Sequence, residues 1–316
     1  MISSHPMIEL RGLYRFFGRT KAVNDVSFSV ARGQVFGYIG PNGAGKTTSM
    51  RILATLDMPT QGDAFVDGFS VVNDPDRVRN RLGFMPDSFG TYANVNVREY
   101  LDFFARAYGL RGNERLQALR YVMGFTKLDT LADKPTNGLS KGMKQRLCLG
   151  RAMIHNPAVL VLDEPAAGLD PRARIQLREM IRRLAADGKA ILISSHILTE
   201  LAEMCDMVGI IEQGRLLAVG SVAEIQRGQQ AHHVSQVLVR ALGDATPVAN
   251  WLGERADISQ IEVDGQQVTF LHQGGLESEA DLLREMVEAG LRVVAFGRQA
   301  KTLEEVFMQV TQGHVQ

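Results

Sequence analysis

Short, continuous apolar runs, each ending at glycine or at polar residues, recur along the chain before residue 225. Runs of this length are typical of strands that are buried on both faces of a parallel sheet. They are QVFGYIG at 34–40, AVLVL at 158–162 and AILISS at 190–195. Segments with helical spacing separate the runs: one from 46 to about 56, a mostly helical stretch over 96–155, and one that follows Pro171. The alternation predicts an α/β fold.

Antiparallel strands are predicted on both sides of this core. The segment VGIIEQGRLLAVG at 208–220 indicates two strands around a Gln-Gly turn, because such dipeptides suit tight hairpins. Residues 8–33 have the pattern of short strands joined by turns, and one of these strands is predicted at 22–30.

Composition shifts near residues 225–235, where the polar stretch QRGQQAHHVSQ has no periodic apolar signal. The shift predicts a boundary between domains at 1–225 and 226–316. The segment beyond it has the pattern of a small α+β domain. Its signals are a hairpin at 261–272 with an Asp-Gly type I′ turn, a helix that ends at Gly290, the strand RVVAFG, and a last helix with a capping box of Thr302 and Glu305.

Composition narrows the class of protein. The chain has 35 basic and 35 acidic residues and no block of like charge, so we expect no nucleic-acid partner. Cys148 and Cys205 lie far apart in apolar segments, which fits a reducing compartment. The N-terminus lacks the pattern of a signal peptide, and no run of about 18 apolar residues occurs. We therefore expect any role at a membrane to depend on a partner.

A glycine-rich loop follows the first buried run and matches G-x-x-x-x-G-K-[ST]. Backbone N–H groups of such a loop, together with the next helix N-terminus, bind phosphates when side chains stay out of the way. Lys46 is expected to contact the β- and γ-phosphates, Thr47 to bind Mg²⁺ and Thr48 to reach the α-phosphate. The candidate nucleotide ligands are Gly40, Pro41, Asn42, Gly43, Ala44, Gly45, Lys46, Thr47 and Thr48.

Two acids end the second buried run, and a histidine follows the third. Asp163 suits Mg²⁺ coordination, and Glu164 suits the general base that activates a water molecule. His196 has the position to sense the γ-phosphate, although a histidine at a strand end is also common without such a role. These residues predict hydrolysis of the bound nucleotide.

The segment LSKGMKQR at 139–146 resembles the signature motif of ATP-binding cassette (ABC) ATPases, usually LSGGQ. With the phosphate loop, the Asp-Glu pair, GLD at 168–170 and His196, the family's motifs occur in the family's order over about residues 7–222. The resemblance implies a P-loop cassette, with a mixed sheet core, an antiparallel β subdomain and an α-helical subdomain. It also implies ATP and Mg²⁺ as ligands.

The same resemblance implies a head-to-tail homodimer with two ATP molecules between the subunits. The residues of one chain that would face ATP on the other are Ser140, Lys141, Gly142, Met143 and Asp170. Phe17 stands where the family has an aromatic residue that stacks on adenine. Three residues depart from the usual motifs: Lys141 replaces a glycine, Met143 a glutamine, and Asp87 a glutamine that contacts Mg²⁺. We expect Asp87 to retain a contact with Mg²⁺.

The ending KTLEEVFMQVT resembles the accessory tail of export-type cassettes. The resemblance implies an integral membrane permease as partner, and a place on the cytoplasmic face of the inner membrane. Phe89, Tyr92 and the helix from Val97 are the candidate permease contacts. The C-terminal domain itself carries no chemical motif, which favours a packing or regulatory role.

Two alternatives stay open. A cassette ATPase that acts on ribosomes or DNA usually carries two cassettes or a long coiled coil, and the sequence shows neither. A module that binds nucleotide without hydrolysis is suggested by the three departures, but Glu164 and His196 argue against it.

Overall fold

The computed structural model describes residues 5–88, 90, 92, 94–227, 234–299 and 303–311. The chain forms two compact units: one takes in the chain up to Val222 together with the segment from Phe307, and the other runs from Ala223 to Val306. In the described ranges, no helix combines the length and the apolar character needed to cross a bilayer.

Ten strands and seven helices of the first unit are assigned in the described part of the chain, and an eighth helix begins at the last residue of this stretch. The strands are β1 Ile8–Phe17, β2 Thr20–Val30, β3 Val35–Ile39, β4 Gln61–Val66, β5 Phe69–Ser70, β6 Leu82–Met85, β7 Val159–Leu162, β8 Ala190–Ser195, β9 Met207–Glu212 and β10 Arg215–Ser221. The helices are α1 Lys46–Leu53, α2 Pro75–Arg81, α3 Val97–Ala107, α4 Gly112–Phe125, α5 Lys141–Met153, α6 Pro171–Ala186, α7 Leu198–Met204 and α8 Val222–Arg227, whose first residue ends the unit.

A six-stranded sheet forms the centre of this unit, in the order β10-β9-β3-β8-β7-β6. Strands β9, β3, β8, β7 and β6 pair in parallel, and β10 pairs with β9 antiparallel. Every residue of β3, β7 and β8 is buried, which is why these segments have continuous apolar runs. The three predicted strands and the hairpin of β9 and β10 are confirmed.

A second, antiparallel sheet has the order β2-β1-β4-β5. Its inner side chains, among them Leu10, Val26 and Phe28, share one hydrophobic core with the central sheet. Phe36 and Tyr38 of β3 belong to the same core. The rings of Phe28 and Phe36 stack with centroids 4.6 Å apart. The antiparallel subdomain implied by the resemblance is thus present.

Helices α3, α4 and α5 make up the helical part of the unit. Asn96 caps α3: its side chain accepts from the backbone N–H of Glu99, whose carboxylate accepts from the backbone N–H of Asn96. Two single 3₁₀ turns, Asp129–Leu131 and Thr136–Gly138, lead into α5.

The second unit is a four-stranded antiparallel sheet, with the order β12-β13-β11-β14, and its helices. The elements are β11 Val234–Ala241, α9 Thr246–Gly253, β12 Ile258–Asp264, β13 Gln267–Gln273, α10 Leu276–Glu288, β14 Val293–Arg298 and α11 Leu303–Val310, which ends in the first unit's segment. The buried core includes Val237, Val239, Phe270, Leu282 and Met286.

The hairpin predicted at 261–272 exists, but its turn differs from the prediction. Asp264 pairs with Gln267, so Gly265 and Gln266 are the two turn residues. Gly265 has a φ of 59°, whereas Gln266 keeps a negative φ. A glycine at the first of two turn positions is typical of a type II′ turn, so the predicted type I′ turn over Asp264 and Gly265 is wrong. The predicted capping box lies outside the described residues.

Candidate nucleotide site

The carboxyl ends of four adjacent parallel strands bring the predicted site residues to one edge of the central sheet. In the order β3, β8, β7, β6, these ends lead into the phosphate loop, His196, the pair Asp163 and Glu164, and Asp87. Loops at the carboxyl edge of such a sheet are the usual place for ligands in α/β proteins.

The phosphate loop runs from β3 into α1, which begins at Lys46. Gly43 and Gly45 have φ values of 82° and 102°, a region that favours glycine. A Cβ on Gly45 would come within 2.2 Å of the carbonyl oxygen of Ala22, while a Cβ on Gly43 would point into open space. Glycine is therefore required at 45 by packing, and at 43 it leaves room beside the loop for an anion.

Lys46 is almost fully buried, at 5% exposed. Its ammonium donates to the carbonyl oxygens of Gly40 and Pro41, at 2.6 and 3.1 Å. Burial lowers the pKa of Lys46, and the negative charges of Glu164 and Asp163 act in the opposite direction. The ammonium thus lies in a confined space where a triphosphate would provide compensating charge.

Asp163 is 1% exposed, and its carboxylate accepts a hydrogen bond of 2.6 Å from the hydroxyl of Ser194 on β8. The same hydroxyl accepts from the backbone N–H of Glu164 at 2.9 Å. Ser194 therefore fixes both acids against the neighbouring strand. Ser194 is not among the predicted site residues, although its position in ISSH, two residues before His196, is a signal for it.

Glu164 lies between Lys46 and His196. One carboxylate oxygen is 2.8 Å from Nδ1 of His196, and the other is 3.8 Å from the ammonium of Lys46. That second oxygen is buried and has no hydrogen-bond partner. Glu164 also has a φ of 48°, which is uncommon for a residue with a side chain. The carboxylate is oriented by the imidazole and keeps one oxygen for a further donor, such as water.

The oxygen ligands expected for Mg²⁺ are present at this edge. Asp163 is buried, the Thr47 side chain is exposed at the start of α1, and Asp87 is exposed two residues after β6. The described residues contain no group of three or more metal-binding side chains. This suits Mg²⁺, which commonly takes one or two protein carboxylates and completes its shell with phosphate oxygens and water.

The signature residues lie around a cavity of about 150 Å³ between the starts of α5 and α6. Ser140 caps α5 by accepting from the backbone N–H of Met143 at 3.4 Å, and Asp170 caps α6 by accepting from that of Ala173 at 2.9 Å. Gly142 also lines this cavity. The ammonium of Lys141 lies over Gly168, at 2.2 Å from where a Cβ of that glycine would stand.

Phe17 ends β1, with 49% of its surface exposed. Residues that follow it, from Arg19 to Ala22, line a cavity of about 990 Å³ together with Gly43 of the phosphate loop. This cavity and the one beside Ser140 share no lining residue. The structure thus brings together the phosphate loop, both acids and His196. The signature residues lie apart from them, around the cavity at the starts of α5 and α6.

Comparisons with known proteins agree with these motifs. A family model described as ABC transporter matches residues 23–167, and one described as the C-terminal domain of DrrA1-3-like ATP-binding proteins matches residues 220–311. Nod factor export ATP-binding protein I of Ralstonia nicotianae is 34% identical and covers 98% of the chain and 95% of its own length. Linearmycin resistance ATP-binding protein LnrL of Bacillus subtilis is 27% identical, with coverages of 96% and 98%.

A solved structure described as the ATP binding subunit of an ABC transporter is 31% identical, with a TM-score of 0.64 over 70% of the chain and 92% of that structure. The chain belongs to the family of ABC transporter ATP-binding proteins. Its fold is the α/β P-loop cassette, and its activity is the ATP binding and hydrolysis of that family.

Proposed function

We propose that the chain powers export through a separate integral membrane permease, and that Lys46, Glu164 and His196 form its hydrolytic centre. The contact of Glu164 with both other side chains carries this proposal. Two relatives are named for export and for resistance to a compound, which supports the outward direction.

In this mechanism the phosphate loop binds the triphosphate through its backbone N–H groups, with Lys46 against the β- and γ-phosphates and Thr48 toward the α-phosphate. Glu164 takes a proton from water, whose oxygen attacks the γ-phosphorus. The bond to the bridging oxygen breaks, and ADP and phosphate leave. His196 orients the Glu164 carboxylate and contacts the γ-phosphate. Thr47 and Asp163 would hold Mg²⁺, with Asp87 as a further oxygen ligand, and the ion would supply positive charge to the phosphates.

The active unit in this proposal is a head-to-tail homodimer. Ser140, Lys141, Gly142, Met143 and Asp170 line or adjoin a cavity that shares no residue with the one at the phosphate loop. A second copy would bring its own signature residues to that loop. The start of α5, which is capped by the neutral hydroxyl of Ser140, suits an anion, since helix N-termini carry partial positive charge.

An exposed aromatic cluster on the helical part is the proposed permease contact. Tyr92 and Phe103 are each 55% exposed, and their rings lie 6.0 Å apart. The less exposed rings of Tyr100 and Phe104 pack against them, Tyr100 at 6.2 Å from Tyr92 and Phe104 at 5.2 Å from Phe103 between ring centroids. Phe89, also expected in this contact, lies outside the described residues. Through this surface the cassette would lie on the cytoplasmic face of the inner membrane.

Purification of the native complex under mild detergent tests the proposal. We expect an integral membrane protein to co-purify, and ATP with Mg²⁺ to convert the Glu164→Gln chain from monomer to dimer in sedimentation. Tyr92→Ala combined with Phe103→Ala should release the membrane protein and leave the ATP-dependent dimer intact. Recovery of a homodimer alone, or with ribosomes or DNA, contradicts a transport role.

A further inference from the structure

One face of the Phe17 ring is covered by a cation. The guanidinium carbon of Arg15 lies 4.4 Å from the ring centroid. Arg15 and Phe17 are two residues apart on β1, so their side chains leave the strand on the same face. A guanidinium over an aromatic ring is attracted by the negative face of the ring. About half of Phe17 nevertheless stays exposed.

Arg15 is itself held in place from another part of the chain. Its guanidinium makes an ion pair of 2.8 Å with Asp57, and the two side chains are only 24% and 19% exposed. Asp57 lies in the segment that follows α1, the helix that begins at Lys46. The backbone N–H of Phe16 donates to the hydroxyl of Thr60 in the same segment, at 3.0 Å. The end of β1 is thereby joined to the segment that follows the phosphate-loop helix.

A second arginine on the same strand offers a direct comparison. Arg11 lies over the ring of Phe65, also at 4.4 Å, and pairs with Glu9 at 2.8 Å. Its side chain is 62% exposed, whereas that of Arg15 is 24% exposed. The two contacts are alike in chemistry, but only the Arg15 contact is partly buried and faces a candidate ligand residue.

We propose that Arg15 is a positioning residue for the nucleotide base: it holds the Phe17 ring with one face against its guanidinium and the opposite face toward adenine. This rests on the proposed role of Phe17. A ring that is already fixed loses less rotational freedom when a base stacks on it, so binding is tighter. Because stacking accepts any base, Arg15 strengthens binding of ATP and GTP by similar factors.

Calorimetric titration of the full chain with ATP tests this, with Arg15→Met against Arg11→Met as the matched control. We expect the Kd for ATP to rise about two- to five-fold in Arg15→Met, which corresponds to the lower part of the range for a cation–π contact, and to stay unchanged in Arg11→Met. Arg15→Lys, which keeps the charge, should recover part of the loss. Equal Kd values for the two methionine variants would overturn the proposal.

Phe17→Ala separates this inference from the role on which it rests. Loss of base stacking should raise the Kd roughly five- to 150-fold. An unchanged Kd in Phe17→Ala removes the proposed role of Phe17 and the inference with it. A raised Kd in Phe17→Ala, with Arg15→Met equal to wild type, overturns the inference alone.

A spectroscopic readout distinguishes positioning from mere stability. In a chain with Trp251→Phe and Phe17→Trp, residue 17 is the single fluorophore of its kind. We expect Arg15→Met to speed the anisotropy decay of that ring before ATP is added, while the thermal midpoint of the cassette stays within the range of Arg11→Met. An unchanged decay would show that Arg15 does not restrain the ring.

Discussion

Each unit of the protein contains a carboxylate, a histidine and a cation in one cluster, and the two clusters differ in access. In the cassette, Glu164 contacts His196 and Lys46, the histidine side chain is 46% exposed, and one carboxylate oxygen has no hydrogen-bond partner. In the C-terminal unit, Glu279 accepts two hydrogen bonds from Arg298, at 2.7 and 2.8 Å, and one from Ser235. The nearby His272 is fully buried.

The difference lies in what remains available to a ligand. Both oxygens of Glu279 are engaged by groups of the same unit, so that cluster stabilises the contacts among β11, α10 and β14. Glu164 keeps an oxygen without a hydrogen-bond partner at the edge where the phosphate loop lies. The same three kinds of group thus make a structural cluster in one unit and the proposed hydrolytic centre in the other.

The largest effect is expected from Glu164→Gln, which keeps the shape but removes the base. Phosphate release from the full chain should fall roughly 10²- to 10⁴-fold. The matched change Glu279→Gln should leave the rate per folded molecule unchanged. Steady-state phosphate release with both variants checks this, and a similar loss in both would erase the contrast between the clusters.

His196→Ala should lower phosphate release about ten- to 100-fold, because the Glu164 carboxylate loses the group that orients it. Adding Glu164→Gln to His196→Ala should give little further loss, since residues that act as a unit are not additive. A double mutant cycle on the rate measures this. Additive losses would mean that the histidine acts independently of Glu164.

Glu279→Gln should lower the free energy of unfolding of the C-terminal unit by about 1–2 kcal/mol. Loss of a buried partner is costly, but Arg298 is 44% exposed and regains water. Trp251, the single tryptophan, lies in α9 of this unit and reports its unfolding in denaturant. Glu279→Asp should not restore the free energy of unfolding, because the shorter side chain loses both hydrogen bonds to Arg298.

A smaller, pH-dependent effect is expected from His155, whose ring stacks on Tyr108 at 3.7 Å. Burial lowers the pKa of His155 from 6.5 to about 4, with Lys189 acting in the same direction and the bond to the Leu82 carbonyl opposing it. The unfolded chain therefore takes up this proton first, and stability is lost as the pH falls from about 6.5 toward 4.

Replacement by a group that does not titrate should flatten this dependence. Between pH 6.5 and 5 the wild type should lose roughly 1.5 kcal/mol more unfolding free energy than His155→Gln. Denaturant titrations at several pH values check this. Parallel curves for the two proteins would mean that the imidazole does not carry the acid sensitivity.

Local sequence was sufficient for the parts of the site whose chemistry is written in adjacent residues. The phosphate loop and the pair Asp163 and Glu164 follow buried runs directly, so strand and motif supported each other. The class of fold and the three central strands were predicted for the same reason. The roles assigned to these residues stay predictions until the experiments above are done.

Contacts between distant segments left no local signal. Ser194 reaches Asp163 only because β7 and β8 pair in one particular register, and Arg15 meets Asp57 in the segment that follows the phosphate-loop helix. Short elements were also missed: β6 has only four residues, and α9 begins with Thr-Pro and spans two turns. In the hairpin of β12 and β13, the pairing register moved the turn by one residue from the Asp-Gly dipeptide.

The position of β3 in the central sheet also constrains how the protein can be made. Its two neighbours, β8 and β9, are formed by residues 190–195 and 207–212, which follow β3 much later in the sequence. At a synthesis rate of about 5–20 residues per second, the ribosome leaves this wholly apolar strand without its partners for on the order of 10 s. The nascent cassette therefore presents an open β-edge during translation, and its solubility in the cell depends on protection of that edge until the last strands emerge.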